Sequence, residues 1–319
     1  MKRFSTILAV AATVITLSGC AAGKYLSSYA LTFNPHGVDD IERTRHKADS
    51  LLPGSTAWYD SLKTLGILKD TMMTSNFNGN RIHACYVPAA YPEKASGTAV
   101  VVHGYGDNHY VFLYLVRMYR DDFNYNVVFP DLQYHGYSEG DHVQMGWNDR
   151  FDVEQWAEMG HNVFKDNFIV LHGVSMGGAT VMMASGDVLP PYIRAVVEDC
   201  GYSSVVAQFN DNRRQTFPFI PADVLQSASL VTKNKYGWGF WEASSVKQLE
   251  KSSVPMLFIH GDADDFVPIR HLWKNYDAKK VGYKEYWVAP GAVHANSFQK
   301  HTKEYKQHVA EFLAKVKQM

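Results

Sequence analysis

Gly173-Val174-Ser175-Met176-Gly177 sets a serine between two glycines. The run Phe168 to Leu171 before it has the pattern of a strand, and Ala179 to Met183 after it that of a helix. In a strand–sharp turn–helix junction the hydroxyl projects from the sheet's carboxyl edge. The glycines let strand and helix approach without a Cβ between them. The helix N-terminus directs backbone N–H groups at the reacting centre. A serine hydroxyl is a weak nucleophile at neutral pH, so it needs a base within hydrogen-bond reach and a group that orients the base. His294, in Pro290-Gly291-Ala292-Val293-His294-Ala295 between the last strand pattern and the last helix pattern, is the candidate base. The candidate acid follows Phe258-Ile259-His260-Gly261, where Asp262, Asp264 and Asp265 crowd one loop. Spacing favours Asp264, which falls where the chain passes over the sheet edge before Val267-Pro268. Asp262 and Asp265 remain alternatives, and Asp265 is also placed to cap the next helix.

Acyl transfer through a serine also needs two preorganised N–H donors aimed at the developing oxyanion, and losing one costs roughly 3–4 kcal/mol of barrier. Met176, directly after the serine, offers one backbone N–H. Tyr105, in His103-Gly104-Tyr105-Gly106 after the Thr98–Val102 run, offers the other. Tyr202 and Trp238 are candidates for contact with substrate. Arg213-Arg214 reads as a solvated pair, with an anionic substrate group as the other reading. His103, His135, His172 and His260 fall near strand ends and read as hydrogen-bonding supports for loops. No His-x-x-x-His or Cys-x-x-Cys spacing points to a metal, and the chemistry requires no cofactor.

These residues must be positioned by a sheet. Residues 67–75 and 81–88 flank Asn78-Gly79-Asn80, a hairpin signal. Short apolar runs then alternate with helical patterns: strands near 98–102, 126–129, 168–171, 193–197, 256–259 and 283–288, and helices near 109–122, 152–165, 176–186, 269–279 and 302–317. Apolar runs without polar alternation suit strands buried on both faces, and alternation with helices implies a mostly parallel sheet. The hairpin adds an antiparallel edge. Residues 203–245 break the alternation with Phe209, Phe217, Phe219, Trp238, Phe240 and Trp241, and read as a small cap. Residues 20–66 read as a tether followed by helices on the edge of a catalytic domain spanning 67–319.

The start of the chain is different in kind. Lys2 and Arg3 precede an apolar run from Ile7 to Leu17, too short to span a bilayer and suited to a signal peptide. Leu17-Ser18-Gly19-Cys20 reads as a lipidation box, with residues 1–19 removed and Cys20 acylated as the mature N-terminus. Several acyl chains at about 0.8 kcal/mol per buried CH₂ hold such a protein on a membrane, so the expected location is the bacterial cell envelope. The formal net charge is −1, and losing Lys2 and Arg3 takes it to −3. With no basic stripe, nucleic acid is excluded as a partner. Cys85 and Cys200 each lie in apolar runs and read as separate buried thiols.

Together, His103-Gly104-Tyr105-Gly106, Pro130-Asp131, His135-Gly136-Tyr137-Ser138-Glu139-Gly140, the Ser175 elbow, Asp199-Cys200-Gly201-Tyr202, His260 to Pro268 and His294 resemble bacterial α/β-hydrolases near the prolyl-oligopeptidase-type peptidases and acyl esterases. The likeness covers about residues 67–315. It implies an α/β-hydrolase fold with an eight-stranded, mostly parallel sheet. It also implies Ser175, Asp264 and His294 as nucleophile, acid and base, with Tyr105 and Met176 as oxyanion donors. One departure is Gln133-Tyr134-His135-Gly136, where many relatives have Arg-Gly-His-Gly. The expected activity is hydrolysis of a small-molecule carboxylic ester. Cleavage of a short peptide or acyl-peptide, or an inert binding lipoprotein on the same scaffold, are the other readings.

Overall fold

The computed structural model describes residues 21–32, 38–216, 218 and 220–319. The leader, Cys20, Phe217 and Phe219 lie outside the described residues. Eight strands form one sheet: β1 (Lys69–Thr74), β2 (Arg81–Val87), β3 (Thr98–Val102), β4 (Asn126–Pro130), β5 (Ile169–Val174), β6 (Ile193–Asp199), β7 (Met256–Gly261) and β8 (Lys284–Ala289). Their order is β1-β2-β4-β3-β5-β6-β7-β8. β1 and β2 pair antiparallel, from Lys69 opposite Tyr86 to Thr74 opposite Arg81, and β2 meets β4 antiparallel. Every later pair is parallel.

The helices are α1 (21–32), α2 (Val38–Leu51), α3 (Ser55–Thr64), α4 (Leu113–Arg117), α5 (Asp149–Phe164), α6 (Met176–Ala184), α7 (Val205–Thr216), α8 (Val224–Tyr236), α9 (Ser245–Leu249), α10 (Arg270–Ala278), α11 (Ser297–Lys300) and α12 (Thr302–Lys317). β3, β4, β5 and β7 are buried along their whole length because helices cover both faces. One core holds Trp156, Met182 and Leu272. The other holds Tyr119, Val309 and Phe312. The helix expected over 109–122 is shorter: only Leu113–Arg117 is α-helical, and Met118–Asp122 continues it as one wider π turn.

At the centre of the sheet, backbone meets backbone. A Cβ on Gly173 would stand 2.0 Å from Gly177 O, and one on Gly177 would stand 2.1 Å from Val102 O. The glycines of the Ser175 motif therefore let α6 start against the carboxyl ends of β3 and β5.

The region expected as a tether begins with a docked helix instead. α1 packs on α8: a Cβ on Gly23 would clash with Ser227 Cβ at 2.7 Å, and Ser27 Oγ lies 2.9 Å from Thr232 Oγ1. The last carbonyls of a helix have no intrahelical donor, and here loops at the edge of the sheet supply three. Tyr105 Oη donates to Ala30 O (2.9 Å), Val143 N to Leu31 O (2.7 Å) and Tyr134 Oη to Thr32 O (3.1 Å). Tyr134 sits at φ 64, a conformation that is strained for a bulky residue. It occupies the position where the resemblance pattern has glycine, and its hydroxyl reaches α1. Burying Leu31 fully adds about 1.5–3 kcal/mol to the docking.

The sheet's antiparallel edge holds a buried charge cluster. His83 Nδ1 lies 2.8 Å from Asp131 Oδ2, and His83 Nε2 lies 3.4 Å from Asp70 Oδ1. Asp131 also accepts from His109 Nδ1 (2.8 Å) and from the N–H groups of His109 and Tyr137. Burial alone would lower the His83 pKa, but the bonds to Asp131 and Asp70 outweigh it and push it up to about 12. Burial would raise Asp131, yet the His109 and His83 imidazoles hold it well below the usual carboxylate range.

Two outcomes follow from these contacts. Gly177→Ala loses at least about 1–3 kcal/mol in a denaturant titration, because neither backbone can yield; unchanged stability would contradict the close approach. His83 keeps a proton in the folded state that it releases near pH 6.5 when unfolded. Its contribution is thus complete below that pH and declines as pH rises towards about 12. The stability difference between wild type and His83→Gln therefore shrinks from about pH 6 to about pH 10. A difference that stays constant or grows over that range contradicts the charged cluster.

Candidate active site

Ser175 sits at φ 59, ψ −117, between the end of β5 and the first residue of α6. That conformation costs roughly 1–3 kcal/mol and persists only where the surroundings over-determine it. Here Ser175 N donates to Asp199 O (2.8 Å) at the end of β6, and Gly104 lies against the Ser175 side chain, where a Cβ would be 3.4 Å from Ser175 Cβ.

His294 comes from the loop between β8 and α11. Its Nε2 lies 2.8 Å from Ser175 Oγ, and its Nδ1 lies 2.8 Å from Asp264 Oδ2. With Nδ1 donating to the carboxylate, Nε2 is left as acceptor for the serine hydroxyl. Asp264 is fully buried, and its other oxygen accepts from the N–H groups of Phe266 (3.0 Å) and Val267 (2.9 Å). The structure thus brings Ser175, His294 and Asp264 into one hydrogen-bonded chain. Of the other two aspartates, Asp262 accepts from Gly291 N. Asp265 does not cap the next helix, which begins at Arg270 after Ile269.

Neighbouring loops are held by neutral histidines. Burial pushes His260 down to about 4, and its Nε2 donates to Val267 O (2.7 Å), bracing the turn that carries Asp264. Burial likewise lowers His103, whose Nδ1 donates to Gly104 O (2.8 Å) while its Nε2 accepts from Leu132 N (2.9 Å). His135 Nε2 accepts from Gly106 N (3.2 Å). His172 lies deeper, between the hydroxyls of Tyr119 (3.0 Å) and Tyr305 (2.9 Å), and burial lowers it to about 3. Below the elbow, burial pushes Asp199 up to about 7, and its carboxyl meets Ser297 Oγ at 3.4 Å.

A cavity of about 300 Å³ opens at Ser175 and Met176. Tyr105 and Met176, the two residues expected to supply N–H donors, both line it. Tyr202 lines it too, but its hydroxyl donates to Met145 O (2.8 Å), so the ring is what it contributes. Trp238 does not line it. That expectation is corrected: Trp238 is only 1% exposed, packs near Phe240, and donates from Nε1 to His142 Nε2 (3.3 Å). Phe240 is buried in packing in the same way, Trp241 is exposed, and Phe209 alone of the described cap aromatics reaches the cavity. Arg213 lies at the cavity wall, held by Asn210 and by Ile220 O.

Sequence reasoning missed Leu26, Tyr29 and Ala30 of α1 as cavity wall, and Phe266, whose ring stands 4.9 Å from the His294 imidazole. The i, i+3, i+4 spacing of the α1 residues is the helical signal that was available.

Metal-ligand atom types come within 4.8 Å of one another in three groups among the described residues: Asp70–His83–Cys85, His83–His109–Asp131 and Cys200–Asp264–His294. Hydrogen bonds within the protein account for the first two, and the third is the serine's own partners beside a buried thiol. Cys85 and Cys200 are both free and buried.

Similar proteins agree with this architecture. YqkD of Bacillus subtilis, an uncharacterized protein, is 26% identical over 241 residues, 72% of this chain and 78% of that one. YfhR of Escherichia coli K12, also uncharacterized, is 26% identical over 239 residues, 74% of this chain and 77% of that one. Among solved structures, an esterase of Pyrococcus furiosus superposes with a TM-score of 0.63 at 20% identity, over 80% of this chain and 93% of that one. An acylaminoacyl peptidase of Pyrococcus horikoshii gives 0.57 at 16% identity, over 80% of this chain but 43% of that one. The profile of the prolyl oligopeptidase family matches residues 133–319, more than half the chain, and takes in the serine elbow, the Asp264 turn and the His294 loop. On a sheet of this order such a match has one meaning: the chain belongs to the prolyl oligopeptidase family, and is a serine hydrolase with the α/β-hydrolase fold.

Proposed function

We propose that this protein is a carboxylic ester hydrolase, with Ser175 as nucleophile, His294 as general base and Asp264 as the group that orients the imidazole. The observation that carries the reading is the unbroken chain from Ser175 Oγ through His294 to the buried Asp264, at 2.8 Å on each side. As the serine oxygen attacks an acyl carbonyl, its proton passes to His294 Nε2. The backbone N–H groups of Tyr105 and Met176 hold the oxyanion. His294 then gives the proton to the leaving alcohol, which departs and leaves an acyl-enzyme. Water attacks the acyl-enzyme with His294 again as base, releasing the acid and restoring the serine. Asp264 keeps its charge throughout and stabilises the imidazolium. The cavity is mainly hydrocarbon and aromatic in lining, which suits an acyl chain.

Ester over peptide is supported by shape. The chain matches nearly the whole length of the Pyrococcus furiosus esterase, but less than half of the acylaminoacyl peptidase. The family itself supports a second reading, cleavage of a short peptide or acyl-peptide bond. Anchoring at the cell envelope through an acylated Cys20 belongs to the same proposal, on the strength of Leu17-Ser18-Gly19-Cys20.

Ser175→Ala lowers p-nitrophenyl ester turnover by several orders of magnitude and abolishes labelling by a fluorophosphonate. Asp264→Asn, which presents the wrong tautomer to His294, lowers kcat by about 10⁴. Wild-type-like turnover in either variant removes the mechanism. Faster turnover of aminoacyl-naphthylamides than of small esters selects the peptidase reading.

A further inference from the structure

We infer that the ester is one that resides in a lipid bilayer, and that the protein takes it with α1 and α8 lying on the membrane surface. This rests on the ester-hydrolase reading and on acylation of Cys20. Three observations carry it.

The first is the absence of slack. Cys20 is bonded directly to the first residue of α1, and α1 is docked along its length. Gly23 lies against Ser227, Ser27 against Thr232, and the carbonyls of Ala30, Leu31 and Thr32 are held by Tyr105, Val143 and Tyr134. At 1.5 Å per residue, Leu26 and Ala30 stand about 8 Å and about 14 Å along the axis from residue 21. Both line the cavity that opens at Ser175 Oγ. A lipid on Cys20 thus sets the cavity wall next to the bilayer instead of leaving the enzyme on a long leash.

The second is the wall itself. Leu26 and Tyr29 from α1 face Met145, Tyr202, Phe209 and Phe266 around the cavity. An acyl chain leaving a bilayer exchanges one apolar environment for another only if the path is apolar, and α1 supplies that side of the path.

The third is the outer surface of the same two helices. Tyr25 on α1 is 68% exposed and Leu230 on α8 is 61% exposed. Lys24 and Lys235 line one shallow groove between these helices. Singly, exposed apolar residues need no explanation. Tyrosine and lysine on the helix that follows an anchor, with leucine and lysine on the helix packed against it, match the composition of segments that sit at headgroup level.

The test uses the full chain, processed in a bacterial membrane and transferred to vesicles of phosphatidylethanolamine and phosphatidylglycerol that carry a fluorogenic diacylglycerol ester. p-Nitrophenyl butyrate in solution is assayed in parallel. Mass spectrometry of the wild type shows acyl groups on Cys20. Tyr25→Glu combined with Leu230→Glu, neither at the cavity, lowers turnover of the vesicle ester by about tenfold or more. It leaves the soluble ester within about twofold, and that rate doubles as the check on folding. If this pair fails to fold, Lys24→Glu with Lys235→Glu gives the same split. The inference is overturned by an unmodified Cys20, by hydrolysis of the soluble ester without the vesicle ester, or by vesicle turnover that the variants leave unchanged. Wild-type protein that cleaves neither ester overturns the hydrolase reading itself, a result distinct from the others.

Discussion

One imidazole has to touch two groups that the chain brings in from opposite directions. His294 lies 2.8 Å from Ser175 Oγ and 2.8 Å from Asp264 Oδ2, and a shift of even 1 Å in either partner would break that chain of hydrogen bonds. The tolerance is met by fixing each of the three loops to a strand end. Ser175 is tied by its N–H to Asp199 O, and Asp264 by the amides of Phe266 and Val267. His294 depends on β8 lying parallel to β7 in register from Met256–Lys284 to Gly261–Ala289. The parallel sheet supplies the common edge from which all three project.

That edge also explains where polar groups are buried. Aspartates at the ends of β4 and β6 would be costly inside a protein without partners. Asp131 is satisfied by two imidazoles and backbone amides, while Asp199 has its pKa raised by burial and sits beside Ser297. The histidines of the glycine-rich loops play the complementary part. His103, His135 and His260 each bond a backbone group, so the loops around the serine are braced by side chains that burial keeps neutral or that accept from an amide.

The N-terminal helix changes how the cavity is understood. The sheet from β1 to β8 and its connecting loops hold the serine and its partners, yet part of the cavity wall comes from α1, which precedes them. Tyr105 contributes to both: its loop borders Ser175, and its hydroxyl holds Ala30 O. The strained backbone at Tyr134, where a glycine would relax it, makes sense as the cost of a second hold on α1. The wall of the cavity at Ser175 is thus shared between the loops of the sheet and α1.

Much of this was legible in the sequence because the signals were local. Strands buried on both faces show as unbroken apolar runs, and the glycines around Ser175 announce a close backbone approach. The chain order of Ser175, Asp264 and His294 limits which residues can meet. What the sequence left open was choice among neighbours and contact between distant segments. Spacing favoured Asp264 over Asp262 and Asp265, but which carboxylate the turn aims at His294 is decided by the fold, and so is which side of the cap, and thus whether Trp238, faces the cavity. The docking of α1 was hidden altogether. Of its buried residues Gly23, Ser27 and Leu31, the first two are too small to read as a hydrophobic stripe, and their partners Ser227 and Thr232 lie some two hundred positions away on α8. Periodicity records which face of an element is buried; what buries it is decided only when the whole chain has folded.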